Sequence, residues 1–323
     1  MGGVTAPATP DDVAAAARRI EPHVRRTPVL DVEVPTPGGP RRVTLKLELL
    51  QVTGSFKVRG AFNRVLSAPE VPPVGVIAAS GGNHGLAVAH VASTLGLAAE
   101  IFVPEASPAA KVDRLRAVGG RVGVTVGGAL YADAQEAATR RAAESGALVV
   151  HPYDQVEVIA GQGTMSRELE EQAPDVDTIL VAVGGGGLIA GAACWFEGRR
   201  RIVAVEPATS CALAAALRAG HPVDVEVSGV AADSLGARRV GDLPFAAAQV
   251  GVTACLTVSD DEIVRAQRHL WSDVRLVAEP GGATALAALL SGAYVPEPDE
   301  RVAVVVCGAN TDPASVATPR ADG

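Results

Sequence analysis

The apolar positions of this chain fall in short unbroken runs separated by longer amphipathic stretches. "VGVIAAS", "AEIFVPE", "RVGVTV", "ALVVH", "DTILVAV", "RRIVAVE" and "RVAVVVC" are apolar without alternation, the pattern of strands covered on both faces. Between them lie helical patterns such as "LAVAHVASTLG", "PAAKVDRLRAVGG" and "YADAQEAATRRAAESG". Strand–helix alternation predicts an α/β architecture of parallel-rich sheets flanked by helices, joined by right-handed crossovers. "SDDE" (Ser259 to Glu262) has the spacing of a capping box. "VPTPGGPRR" reads as a loop, and "NTDPASVATPRADG" as a mostly disordered tail. At 323 residues the chain exceeds what one core usually organises, so two domains are expected.

Composition narrows the partners. A net charge of −8 argues against a nucleic-acid surface, which usually presents a basic face. No stretch approaches the roughly 20 apolar residues that span a bilayer, and the N-terminus lacks a continuous apolar signal core. The 4 cysteines, Cys194, Cys211, Cys255 and Cys307, are scattered without zinc spacing and read as free thiols of a reducing compartment. The expectation is a cytoplasmic protein with a small-molecule ligand and neither nucleic-acid nor membrane partners.

The candidate chemistry sits at turns. In "TGSFKVRGAFNRV", Val58, Ala61, Phe62, Val65 and Leu66 form one helical face, and Lys57 lies off it in the first turn. A helix N-terminus disfavours a cation and so favours a lysine that works uncharged. Three strand-to-helix turns end in small residues: Ser80–Gly85, Gly184–Gly187 and Cys307–Asn310. In open parallel sheets ligands bind beyond the carboxyl ends of the strands. The run Gly184, Gly185, Gly186, Gly187 exceeds what a tight turn needs and suits an anion, best a phosphate. In "ASGGNHG", Ser80, Asn83 and the exposed amides suit a carboxylate, whereas His84 alone reads more readily as structural. Cys307 reads either as a core residue or as a weak hydrogen-bonding partner of a cofactor. A rival pattern also exists: Gly185, Gly187 and Ala190 fit G-x-G-x-x-A, with Glu206 about twenty residues on, as in a dinucleotide site.

Together these segments resemble the fold-type II pyridoxal-phosphate enzymes (tryptophan synthase β-like), in their serine/threonine dehydratase and serine racemase branch. The resemblance runs from about Arg26 to Asp312 through "KLELLQVTGSFKVRGA", "SGGNHG", "HPYDQVEVIAGQGT", "VGGGGL", "AVEP", "EPGGATALAA" and "CGAN", in the family's order. It implies that Lys57 carries the cofactor and acts as the catalytic base, with Phe56 near the ring. It implies Asn83 on the ring's phenolic oxygen, Gly184 to Gly187 with Leu188 on the phosphate, and Cys307 facing the ring nitrogen. Ser80, Gly81, Asn83 and His84 would receive the substrate carboxylate. The small domain would be residues 74–147, inserted in a large domain of residues 1–73 and 148–323, with the site in the cleft. A homodimer is implied as well.

Three departures shape the expected reaction. Racemases of this branch carry a serine after Ser80 as the second acid/base; here Gly81 has no proton to give. Some relatives hold a divalent cation, or potassium, with a glutamate and an aspartate six residues on. Glu206 fits the first position, but Ala212 stands at the second. Allosteric threonine deaminases add a C-terminal regulatory domain beyond the segment that "CGAN" resembles, and feedback through such a domain is not expected here. The expectation is β-elimination of L-threonine or L-serine to a 2-oxo acid and ammonia. The alternatives are another β-hydroxy amino acid such as 3-hydroxyaspartate or phenylserine, serine racemase-like activity, and, remotely, an NAD-dependent oxidoreductase. Tyr131 and Ala132 are candidates to line the side-chain pocket.

Overall fold

The computed structural model describes residues 7–105, 107–129 and 131–317. Its ten strands are β1 (Val29–Thr36), β2 (Gly39–Lys46), β3 (Val76–Ala79), β4 (Ala98–Val103), β5 (Arg121–Val126), β6 (Leu148–Val149), β7 (Thr178–Ala182), β8 (Arg201–Pro207), β9 (Ala254–Val258) and β10 (Val302–Val305). They form two sheets. A six-stranded sheet has the order β1-β2-β10-β7-β8-β9, and a four-stranded sheet the order β5-β4-β3-β6. Every pairing is parallel except β1 with β2. The unbroken apolar runs explain this arrangement: β3, β7 and β10 are buried along their whole length, with helices on both faces.

Two readings of the sequence change. "VPTPGGPRR" is the tip of the β1–β2 hairpin, with Thr36 paired to Gly39 and Pro35 to Pro40. Pro35 lies near the end of the edge strand β1 and faces Pro40 near the start of β2, ahead of Val43 where the pairing of β2 with β10 begins, so β10 needs neither missing amide. In the tail, Pro313–Ala317 is helical and buries Val316, while residues 318–323 lie outside the described residues. The capping box at Ser259 is present in both directions.

The helix Lys57–Leu66 ties the two halves together. Its apolar stripe (Val58, Ala61, Phe62 and Val65) is buried in one core with Val76, Ile101 and Val103 of the four-stranded sheet. Its other face sends Arg59 into a buried ionic cluster with Glu48, just after β2, and Glu168, on the helix Val156–Gln172. The start of this helix is therefore held from both sides, next to the carboxyl ends of β3, β7 and β10.

Candidate active site

Lys57 is the first residue of its helix, as its position after Gly54 and Ser55 led one to expect. The turn before it needs two left-handed residues in a row, Thr53 at φ 68° and Gly54 at φ 75°. Gly54 is also required for space, since a Cβ there would lie 2.7 Å from Asn310 Oδ1. The turn is stitched to the end of β10: Phe56 N donates to Cys307 O (3.3 Å) and Ala309 N to Gly54 O (2.9 Å). This stitching brings Cys307 beside Lys57, 250 residues away along the chain.

Lys57 Nζ donates to Pro152 O (2.9 Å) and lies 5.1 Å from the centre of the Phe56 ring. Burial pulls its pKa down to about 8, against smaller opposing effects of Cys307 and Glu279. Cys307 is buried, and its thiol donates to Gly281 O (3.4 Å). Burial, then the nearby Glu279, pushes that thiol well above its ordinary range, so it stays neutral.

The glycine turn after β7 opens the helix Gly187–Phe196, whose first amides have no acceptor within the helix. Gly186 has φ 93°, and a Cβ on Gly185 would fall 2.1 Å from the Tyr153 ring. The turn is therefore a bare backbone cradle of the kind that suits a phosphate. Leu188 is buried in the first turn of that helix.

The turn after β3 opens the helix Asn83–Thr94. Asn83 Nδ2 donates to Glu279 Oε1 (2.6 Å), and its Oδ1 accepts from Asn310 Nδ2 (2.5 Å). Asn310 Nδ2 also donates to Thr53 O (2.8 Å), so one chain of hydrogen bonds joins the lysine turn, Asn310, Asn83 and Glu279. His84 is buried and bonded to Val150 O (2.8 Å). Burial, and then Lys57, drops its pKa to about 3, so it is neutral. Because a carbonyl only accepts, the ring proton is on Nε2 and is used there. His84 thus offers a ligand its backbone amide rather than its ring.

Lys57, Ser80, Gly81, Asn83, His84, Tyr153 and Gly185 line one cavity of ≈ 1160 Å³. Ala132 lines it too; the side chain of Tyr131 lies outside the described residues. Glu279, Asn310, Pro152 and Tyr153 were not singled out from the sequence. Their roles depend on partners far away in the chain; Asn83 and Glu279, for example, are 196 positions apart. Glu279 is buried at the head of the helix Pro280–Ser291, and burial raises its pKa to about 7.

Glu206 is not placed as a ribose acid, and its oxygens are engaged within the protein. Its two oxygens accept the amides of Leu213 and Ala214 (2.8 Å each), and Cys255 Sγ donates to it (3.4 Å). It is fully buried, capping the helix Ala212–Ala219, and cannot reach a nucleotide ribose. Among the described residues no group of three His, Cys, Asp or Glu is arranged to hold a metal ion. No helix among them is long and apolar enough to cross a membrane.

Comparison with known proteins gives the family. The L-threonine ammonia-lyase of Thermotoga maritima is 35% identical over 308 residues, covering 94% of this chain and 76% of that protein. The phenylserine dehydratase of Ralstonia pickettii is 35% identical over 311 residues, covering 94% of both. The structure of maize serine racemase matches with a TM-score of 0.87 at 33% identity, covering 96% of this chain and 95% of that one. The family description "Pyridoxal-phosphate dependent enzyme" matches residues 20–308. On a fold of type II, with its glycine cradle and Lys57 facing one cavity, the chain belongs to the pyridoxal-phosphate dependent enzymes, in their serine/threonine dehydratase-like branch.

Proposed function

We propose that the protein is an ammonia-lyase that dehydrates and deaminates L-threonine or L-serine to a 2-oxo acid and ammonia. The observation that supports this most is that Lys57, its amine bonded to a carbonyl and to no carboxylate, shares one cavity with the glycine turn and Asn83. The similarity to a threonine ammonia-lyase points the same way. When bound, pyridoxal phosphate supplies the electron sink for the charge left at Cα when the α-proton is removed.

In this reading Lys57 holds the cofactor at rest. With substrate bound, its free amine would be the base that takes the α-proton, and its depressed pKa suits that task. Gly184 to Gly187 and Leu188 hold the phosphate through backbone amides, and Phe56 packs beside the ring. Asn83, oriented by Asn310 and Glu279, bonds the ring oxygen. Cys307 offers the ring nitrogen a neutral thiol, a weak partner that does not favour full protonation. The substrate carboxylate is received by Ser80, Gly81, Asn83 and His84, the last through its amide. The α-proton and the β-hydroxyl are lost together as one water, and the enamine released hydrolyses to the oxo acid and ammonia. Residues 1–73 with 148–323 form the large domain and residues 74–147 the small one, with the site between them. The enzyme works in the cytoplasm as a homodimer.

A second reading has support in the similarity to a phenylserine dehydratase: the substrate's β-carbon carries an aromatic group, and the hydroxyl is again what is lost. One experiment tests both. Purified protein should show the visible band of lysine-bound cofactor, and Lys57→Ala should lose the band and at least about 10³-fold of turnover. Retained colour and turnover would sink the proposal. Oxo-acid release from L-threonine, L-serine, phenylserine and 3-hydroxyaspartate then ranks the substrates.

A further inference from the structure

The seat for the substrate carboxylate is short of side-chain donors. Asn83 Nδ2 gives one proton to Glu279 and, on the reading above, its other proton to the ring oxygen, while its Oδ1 is held by Asn310; the His84 ring proton is taken by Val150 O. The Ser80 hydroxyl oxygen accepts the amide of Gly82 (3.2 Å). What remains from this segment is the Ser80 hydroxyl proton and the free amides at the start of the helix Asn83–Thr94.

Another hydroxyl stands beside it. Ser107 follows β4, the neighbour of β3 in the four-stranded sheet, and is fixed in a turn by its amide, which donates to Pro104 O (2.9 Å). A Cβ placed on Gly81 would lie 2.9 Å from Ser107 Oγ and 3.5 Å from Ser107 Cβ. The space that a side chain at position 81 would occupy is therefore filled by the hydroxymethyl group of Ser107. Ser107 lines the same cavity as Lys57, Ser80, Gly81 and Asn83.

We propose that Ser107 is a substrate-binding residue: from the loop after β4, its hydroxyl donates to the substrate carboxylate seated on Ser80–His84. The inference rests on the carboxylate seat named above. It adds a donor that no motif of the chain contains, and it makes Gly81 and Ser107 one unit, since the absence of a side chain at 81 is what lets the Ser107 hydroxyl reach the cavity there. The backbone at Gly81 is not left-handed, so alanine there meets a steric conflict with Ser107 but no backbone strain.

The test uses holoenzyme and two acids without an α-amine, 3-hydroxypropanoate and propanoate, which occupy the seat without reacting. Their Kd values are measured by calorimetric or saturation-transfer titration. A hydrogen bond to a charged group has a value that corresponds to about tenfold in affinity. Ser107→Ala should weaken both acids about tenfold, Gly81→Ala should do the same by displacing the hydroxyl, and the double variant should be no worse than Ser107→Ala. Ser107→Thr should restore binding. With the amino-acid substrate, Ser107→Ala should raise KM and leave kcat within about twofold, a split that a merely structural role would not produce. Unchanged binding of both acids by Ser107→Ala overturns the proposal while the seat stands. A loss confined to 3-hydroxypropanoate also overturns it, because the hydroxyl then reads the β-oxygen. If coloured wild-type enzyme binds neither acid, the seat itself falls, and Ser107 with it.

Discussion

Lys46 and Lys57 are eleven positions apart, and both are withdrawn from water, yet their surroundings differ in kind. Lys46 ends β2 with its side chain fully buried, and its amine donates to Thr27 O (2.8 Å), Glu168 Oε2 (2.8 Å) and Gln172 Oε1 (2.9 Å). Next to it Arg59 is bonded twice to Glu48 and twice to Glu168. Burial lowers the Lys46 pKa, while Glu48 and Glu168 oppose the shift and hold the charge in place. Lys57 has one carbonyl and one aromatic ring. A buried cation with full partners is locked as a cation, whereas one without a carboxylate partner is free to lose its proton. At pH 7 a lysine with a pKa of about 8 is already neutral in about a tenth of molecules, against fewer than about one in a thousand for an ordinary lysine. The same residue type is thus held charged in one place and left able to lose its proton in the other, and the difference lies in the neighbours.

The comparison breaks most easily at Arg59. Arg59→Ala leaves Glu48 fully buried without its main partner, and removing one member of a buried ionic set costs about 3–5 kcal/mol. Urea unfolding should show a lower midpoint at unchanged slope. Lys46→Met should cost less, about 1–3 kcal/mol, because Glu168 keeps Arg59 while Thr27 O loses one of its donors. Equal losses for the two variants would show that the cluster is not organised around the guanidinium. Glu279 tests the acid side of the site. Its pKa of about 7 lies above the ordinary 4.5, so the folded protein binds the proton more tightly than the unfolded chain. The stability it contributes is present below pH 4.5 and is lost as pH rises to about 7. Glu206, raised to about 7 by burial as well, adds a second such contribution. The buried neutral His84 and His151 act in the opposite sense over the same range, so the test is a difference: relative to wild type, Glu279→Gln should lose less unfolding free energy between pH 4.5 and 7, and an identical pH dependence would mean that Glu279 is ionised in the folded protein.

Much of this was legible in the chain because it is local. Unbroken apolar runs mark parallel strands, and a lysine after Gly-Ser at a helix start or four glycines between strand and helix are written within a dozen residues. The β1–β2 hairpin was hidden because Pro35, Pro37 and Pro40 look like loop residues until the strand is seen to lie at the sheet edge. Glu206 misled for another reason: its spacing from the glycine run fits a ribose acid or a metal ligand, and only the fold turns it onto the amides of Leu213 and Ala214. Asn310, Glu279 and Ser107 were illegible because each acts through a contact made across the chain. At Gly81 the sequence shows only a residue without a proton to give; that a hydroxyl from another strand's loop stands there is visible in the structure alone.

The finest prediction turns on Lys57 itself, in protein freed of its cofactor. Its folded pKa of about 8 lies below the unfolded value near 10.5. Below pH 8 both states carry the proton, and the folded state bears the full penalty of a buried charge without a carboxylate in contact. Between pH 8 and 10.5 the unfolded chain still holds the proton that the folded chain has released, so unfolding becomes harder as pH rises. Replacing the amine by an apolar group of similar length removes that penalty. Lys57→Met should therefore unfold at slightly higher urea than wild type at pH 7, with the advantage shrinking above pH 8 and gone by about 10.5. The corresponding Lys46→Met change should be destabilising in the same pH 7 experiment, because there the charge has partners to lose. If both methionine variants are destabilised alike at pH 7, Lys57 is paired in solution as Lys46 is, and its readiness to act as a base needs another source.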